Sequence, residues 1–203
     1  MTAAKQIELV SVEDYLAGEL VSEVKHEYSG GFVYAMAGTR NVHNRIATNW
    51  LLAVGGRLQG KPCEAFNSDT KVRVRFPTHT RFYYPDAMVV CEPNGADDTF
   101  QDKPLVIAEV VSDATRRIDE GEKRDAYLTI STLMAYLVVE TDRPRVVVHR
   151  RTDNGFVAEA YEGLDAVIPL GAVEAELPFS ELYARVAFDH EGAKDEEDGR
   201  ATR

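Results

Sequence analysis

Leu105-Val106-Ile107-Ala108-Glu109-Val110-Val111, entered through Pro104, is an apolar run interrupted by a single acid. Its shortness, its β-branched content and the proline before it read as a strand covered on both faces. A lone carboxylate there loses its hydration at a cost of several kcal/mol unless a cation or a proton compensates it. Upstream, Pro85-Asp86-Ala87-Met88-Val89-Val90-Cys91 is a second apolar run with one acid near its start. Two carboxylates on neighbouring central strands suit a hard divalent cation, which takes oxygen ligands.

Outward from these two runs, the chain alternates helical and extended signals. Ser11 is placed to cap a short helix whose first turn holds Asp14. Residues 26–36 alternate around Gly30-Gly31, the mark of a hairpin. Ile46, Trp50, Val54 and Leu58 recur every four residues and define one face of a helix over about 41–58. Residues 63–76 read as a strand ending in Lys71-Val72-Arg73-Val74-Arg75-Phe76, whose period of two puts the three cations on one side. Residues 82–91 run back, 93–103 form an exposed polar loop, and the Glu109 strand follows. A helix over about 115–130 leads to the strand Ala135-Tyr136-Leu137-Val138-Val139-Glu140. Residues 145–149 and 155–161 are further antiparallel strands, and 178–185 a last helix. The order is helix, three strands, helix, strand, with β extensions at both ends: a mixed α/β domain whose last core strand is reached by a helical crossover.

Composition bounds the function. A chain of 203 residues is long enough for one substantial core, so residues 1–188 are expected to form a single domain, with an acidic, disordered tail over 189–203. No stretch approaches the roughly 20 apolar residues of a membrane span. The start of the chain lacks the apolar core of a signal peptide. Cys63 and Cys91 lack metal-motif spacing, so two free thiols in a reducing, cytoplasmic setting are expected. The net charge of −11 argues against a simple nucleic-acid binder, so any polyanion must meet a local basic patch or a bound metal.

Taken in order, Tyr84-Pro85-Asp86, Glu109-Val110-Val111-Ser112, Asp119, Lys123, Tyr127 and Tyr136-Leu137-Val138-Val139 carry a resemblance. They resemble a widespread prokaryotic family of proposed endonucleases, long catalogued as a domain of unknown function, in the PD-(D/E)xK, restriction-endonuclease-like superfamily. The opening Glu27…Gly31…Met36-Ala37-Gly38…His43 is similar to that family's too, and the resemblance covers about residues 10–148. It implies an α-β-β-β-α-β core with a mixed sheet, in agreement with the order read from the residues. The superfamily's lysine, two residues after the glutamate, is absent: that position is Val111. The resemblance implies that the lysine has moved to the following helix, where Lys123 matches.

By that resemblance, Asp86 and Glu109 would bind Mg²⁺ or Mn²⁺ with the Val110 carbonyl, Lys123 would assist catalysis, and Glu27 or His43 would be auxiliary. The expected reaction is phosphodiester hydrolysis of nucleic acid, DNA first, by a possible homodimer. Lys71, Arg73, Arg75 and Arg81 are expected to form one phosphate-binding surface, and Arg116, Arg117 and Arg124 another. Each residue also has a structural reading. Asp86 could cap a turn, Glu109 could be a buried ion pair, Lys123 could pair with Asp119 four residues earlier, and the cations could be solvated faces. A catalytically silent binding module on the same fold is the rival, favoured by Val111 and the net charge. A hydrolase of small phosphodiesters is a third.

Overall fold

The computed structural model describes residues 8–112, 116 and 118–188. The expected acidic tail and Arg117 lie outside the described residues. The chain begins with α1 (Val12–Glu19), where the Ser11 hydroxyl accepts a hydrogen bond from the Asp14 amide as the sequence implies. The hairpin β1 (His26–Ser29) and β2 (Phe32–Ala35) turns through Gly30 and Gly31, both at positive φ, a conformation open to glycine at no steric cost. Helix α2 (Asn41–Arg57) follows, then β3 (Glu64–Asn67), β4 (Lys71–Arg75), β5 (Thr80–Tyr83) and β6 (Ala87–Val90). A two-residue strand β7 (Phe100–Gln101) and the strand β8 (Pro104–Val111) complete the first half.

Beyond β8, a π-helical segment (Ile118–Lys123) runs directly into α3 (Arg124–Tyr127). Then come β9 (Ala135–Glu140), the long hairpin β10 (Arg145–Thr152) and β11 (Gly155–Glu162), the hairpin β12 (Val167–Leu170) and β13 (Ala175–Pro178), and α4 (Phe179–Leu182). Six strands form one mixed sheet in the order β11-β10-β9-β8-β6-β3. Its parallel pair, β8 with β9, is spanned by the π-helical segment and α3, the expected crossover. Five more strands form a second sheet in the order β2-β1-β5-β4-β7.

The Glu109 strand is covered on both faces, as its composition requires. Val106, Ala108 and Val110 pack beneath Ile46, Trp50 and Val54 of α2 in the larger core. Ile107 and Val111 point the other way, into a second core with Val72, Val74 and Tyr83 of the five-stranded sheet and Tyr127, Tyr136 and Val138. Glu109 has the parity of Ile107 and Val111 and therefore opens into this second core.

Several expectations are corrected. The 63–76 run is two strands in different sheets, separated by a turn in which the Thr70 amide donates to the Asn67 carbonyl. The 82–91 run is likewise cut at Pro85, because the chain leaves one sheet there and enters the other. The loop over 93–103 contains β7, the helix after β8 includes π-type turns over Ile118–Lys123 and ends at Tyr127, and the hairpin β12–β13 was not foreseen. The expected free thiols are overturned: Cys63 and Cys91 form a disulfide. Glu64 pairs with Val90 in the antiparallel register, so the two cysteines stand opposite one another one step further on. Their separation of 28 residues along the chain hides that pairing.

Candidate active site

Asp86 stands at the corner where the chain passes from β5 into β6, the place where Pro85 interrupts the strand. Val110 N–H donates to Asp86 Oδ2 at 2.7 Å, and Asp86 N–H donates to Glu109 Oε2 at 3.3 Å. Each acid is therefore oriented by main chain belonging to the other's strand. His43, in the first turn of α2, brings Nε2 to 3.2 Å from Asp86 Oδ2. Burial alone would lower the His43 imidazole, but its hydrogen bond and charge interaction with Asp86 outweigh that and raise it.

The other oxygen of Glu109 faces a second set of groups. Tyr127 donates its hydroxyl to Oε1 at 3.0 Å, and Lys123 Nζ lies 3.4 Å from the same atom. The Lys123 ammonium also reaches Glu27 Oε1 at 2.9 Å and Asp119 Oδ1 at 3.5 Å. One cation thus sits among three carboxylates brought from β1, β8 and the π-helical segment. Glu27 is held in turn by the Tyr84 amide at 3.4 Å. The four-residue spacing of Asp119, Lys123 and Tyr127 turns all three toward Glu109. Bonding from residue i to i+5 widens the turn that carries the first two, a geometry frequent at functional sites.

The electrostatics follow from this crowding. Burial pushes the Glu109 carboxyl well above its usual range; Lys123 opposes the shift, while Asp86, Asp119 and Glu27 add to it. Burial would depress the Lys123 amine, yet Glu109, Glu27 and Asp119 together hold it well above its ordinary value. Burial raises the Tyr127 phenol strongly, and the negative field of Glu109 raises it further. Among the described residues, Asp86, Glu109 and Glu27 meet only Lys123 and His43 as cations, an excess of acids over bases.

That excess bears on whether a metal suits these residues. Among the described residues no three acids, histidines or cysteines converge closely enough to cage an ion by themselves. Mg²⁺ does not need such a cage, since one or two carboxylates commonly hold it while water completes its octahedron. Asp86, the Oε2 side of Glu109 and the Val110 carbonyl are hard oxygen donors with uncompensated charge beside them. The donor chemistry fits a divalent cation.

The expected cationic surfaces do not assemble as foreseen. Lys71 is buried, its amine 3.1 Å from the Tyr84 hydroxyl, and burial lowers it against the opposing charge of Glu19. Arg73 is bonded through two nitrogens to Asp102 and lies over the Phe100 ring. Arg75 is exposed, with Asp102 at 3.6 Å. Arg81 is opposite Val74 in the register, so it occupies the other face of the sheet, where it meets Glu122 at 3.1 Å. Arg116 is engaged by Glu140 and Glu120, and Arg124 by Asp125. The strand periodicity is real, but tertiary partners consume most of the charge. Asp119, part of the resemblance and on one helical face with Lys123 and Tyr127, carries no site role in the sequence; the structure adds that it stands 3.5 Å from the Lys123 amine beside Glu109.

Two uncharacterized proteins of Synechocystis sp. are similar to this chain. One, slr1290, is 30% identical over 182 residues, covering 88% of this chain and 94% of that protein. The other, sll1609, is 28% identical over 143 residues, covering 69% and 80%. A crystal structure described as a putative nuclease belonging to DUF820, from Anabaena variabilis, superposes with a TM-score of 0.64 at 17% identity, over 80% of this chain and 91% of that one. It shares this mixed α/β fold. A family model described as Uma2, putative restriction endonuclease, matches residues 12–180. With that match spanning the hairpin of Glu27, the acids before β6 and on β8 and the lysine beyond them, the chain belongs to the Uma2 family.

Proposed function

We propose that this protein is a metal-dependent nuclease that hydrolyses phosphodiester bonds, with Asp86 and Glu109 as metal ligands, the Val110 carbonyl as a third, and Lys123 as the cationic assistant. The observation that carries the reading is the position of the Lys123 amine. It approaches Glu109 from the following helix and so supplies the cation that Val111 lacks. Family membership supports a nuclease reading, and the surplus of carboxylates supports a divalent cation such as Mg²⁺ or Mn²⁺.

When bound, the metal would neutralise phosphate charge and lower the pKa of a bound water. The chain's own groups divide the remaining work. Lys123, held as an ammonium by three carboxylates, is suited to stabilising a charged phosphate oxygen and not to taking a proton from water. Glu27 and Asp119 fix where that ammonium stands. Tyr127 fixes the Oε1 side of Glu109, leaving Oε2 toward Asp86. His43 steadies Asp86.

DNA is the first substrate to test, and a double-strand cut would call for two copies of the chain, one site per strand. Purified protein should nick or cut plasmid DNA with Mg²⁺ or Mn²⁺, and Glu109→Ala should abolish the activity. Equal behaviour of wild type and variant on DNA and RNA overturns the reading. One observation favours the silent binding module instead: Arg73, Arg81 and Arg116 are already paired to acids, which leaves little free positive charge for a polyanion. Calorimetric titration with Mn²⁺ separates the two, because a silent module shows no binding that depends on Asp86 and Glu109.

A further inference from the structure

The strand beside Glu27 carries two aromatic residues that no role yet accounts for. Strand β2 is the outer strand of the five-stranded sheet, and all four of its residues are exposed. Phe32 and Tyr34 are 45% and 55% exposed. In the hairpin register Glu27 pairs with Tyr34, and Ser29 with Phe32. Directly paired residues share a sheet face, with Cβ atoms about 5 Å apart. Both rings therefore stand on the face to which Glu27 sends its carboxylate toward Lys123. Val33 has the opposite parity and stands on the face where its partner Tyr28 packs into the aromatic cluster with Tyr15 and Phe82.

The same face continues into β5. Ser29 pairs with Arg81, so a guanidinium follows the two rings and the serine across the sheet. That guanidinium is already engaged by Glu122, so what the face offers beside the carboxylate site is the two exposed ring faces, on which unpaired bases can stack. The chain's charge makes such a device more telling. At −11 overall, and with Arg73, Arg81 and Arg116 paired to acids, electrostatics offer little to a sugar–phosphate backbone, so stacking would have to supply the affinity.

We infer that Phe32 and Tyr34 form a base-stacking shelf beside the carboxylate site, which selects nucleic acid whose bases are unpaired or can be turned out of a duplex. The inference rests on the nuclease reading for its substrate class and goes beyond it in naming the form of substrate. It gives Tyr34 and Phe32 a binding role and no part in the chemistry.

The test is fluorescence anisotropy with a labelled single-stranded oligodeoxynucleotide and its abasic counterpart of equal length, in EDTA, where no metal-dependent cleavage intervenes. Wild type should prefer the strand with bases by about tenfold or more. Tyr34→Ala and Phe32→Ala should each lose about tenfold on that strand and little on the abasic one, while Tyr34→Phe keeps the preference. Equal affinity for both strands, or no binding of either, overturns the shelf. If the alanine variants instead convert a dimer to a monomer in sedimentation without changing base dependence, β2 is a subunit edge and the shelf is overturned. A base preference in a protein that cleaves nothing with Mg²⁺ or Mn²⁺ keeps the shelf and removes the nuclease reading. Glu109-dependent cleavage without base preference does the reverse.

Discussion

Glu109 and Glu140 are both buried, at 3% and 1% exposed, on the neighbouring strands β8 and β9. Val111 pairs with Glu140 in the parallel register, so the two side chains occupy one face of the sheet, two residues apart along it. Their company is opposite. Glu140 accepts hydrogen bonds from Arg116 through both terminal nitrogens and from Arg145 at 3.3 Å, with Arg143 at 3.8 Å. The Arg116 hydrogen bonds outweigh burial and hold its carboxyl below the usual range. Glu109 has one lysine, shared with two other acids, and is pushed the other way. One glutamate is a completed ion pair that ties the segment before the π-helical turns to the end of β9. The other is left short of positive charge. The difference separates a carboxylate that holds structure from the one to which the proposed function gives a metal.

The sharpest way to break that comparison is to remove each acid and read activity and stability separately. Glu109→Gln should lower nuclease kcat/KM by about 10³-fold or more while leaving stability unchanged or raised by up to about 2 kcal/mol, since a poorly compensated buried charge is gone. A parallel loss of stability and activity would show Glu109 to be structural as well. Lys123→Met should reduce activity by about 10²-fold and cost about 3 kcal/mol in urea unfolding, because three buried acids lose their common cation. Glu140→Gln should keep the chemistry within a few-fold yet destabilise by about 2 to 3 kcal/mol, as Arg116 and Arg145 lose the acid they share. Retained stability there would remove the contrast.

The two acids should also respond to pH with opposite signs, measured by urea unfolding from about pH 3 to 8 in EDTA. Glu140 titrates below its ordinary 4.5 when folded, so its contribution is full above that pH and is lost as pH falls through the folded value. Glu109 titrates well above 4.5 when folded, so its contribution is full below that pH and is lost as pH rises toward the folded value. Glu140→Gln should therefore flatten the acid limb of the stability curve, and Glu109→Gln the limb above it. Tyr127→Phe gives the smallest effect. It removes one donor from Glu109 Oε1 and should cost about 1 kcal/mol of stability and about tenfold in activity.

Much of this was readable in the chain, though unevenly. The strand of Glu109 declared itself because an acid among β-branched residues has few physical explanations. The hairpin was legible because Gly30-Gly31 sets a two-residue loop, and that loop already implies the pairing of Glu27 with Tyr34. Lys123 was reachable through the family resemblance, which implies a lysine in the following helix, but the π-helical turns that aim it with Asp119 and Tyr127 were not, since no local pattern marks them. The basic strand was misread for a reason of the same kind. Alternation assigns Lys71, Arg73 and Arg75 to one side and cannot say that Asp102 and Phe100 wait there for Arg73. Glu140 passed as an ordinary strand end until the arginines from two other segments closed on it.

The sequence by itself determined the helix-and-strand order of the core, the burial of the Glu109 strand and the acids available on it and before β6, because these follow from hydrophobic period, proline and glycine placement, and the cost of an unpaired charge. Only the tertiary structure decided which charges neutralise one another. It set Cys63 against Cys91, closed three arginines on Glu140, and left Glu109, Asp86 and Glu27 with fewer cations than acids among the described residues. Partnerships of that kind join residues far apart along the chain, and their energies depend on distances of a few ångströms that local pattern does not encode.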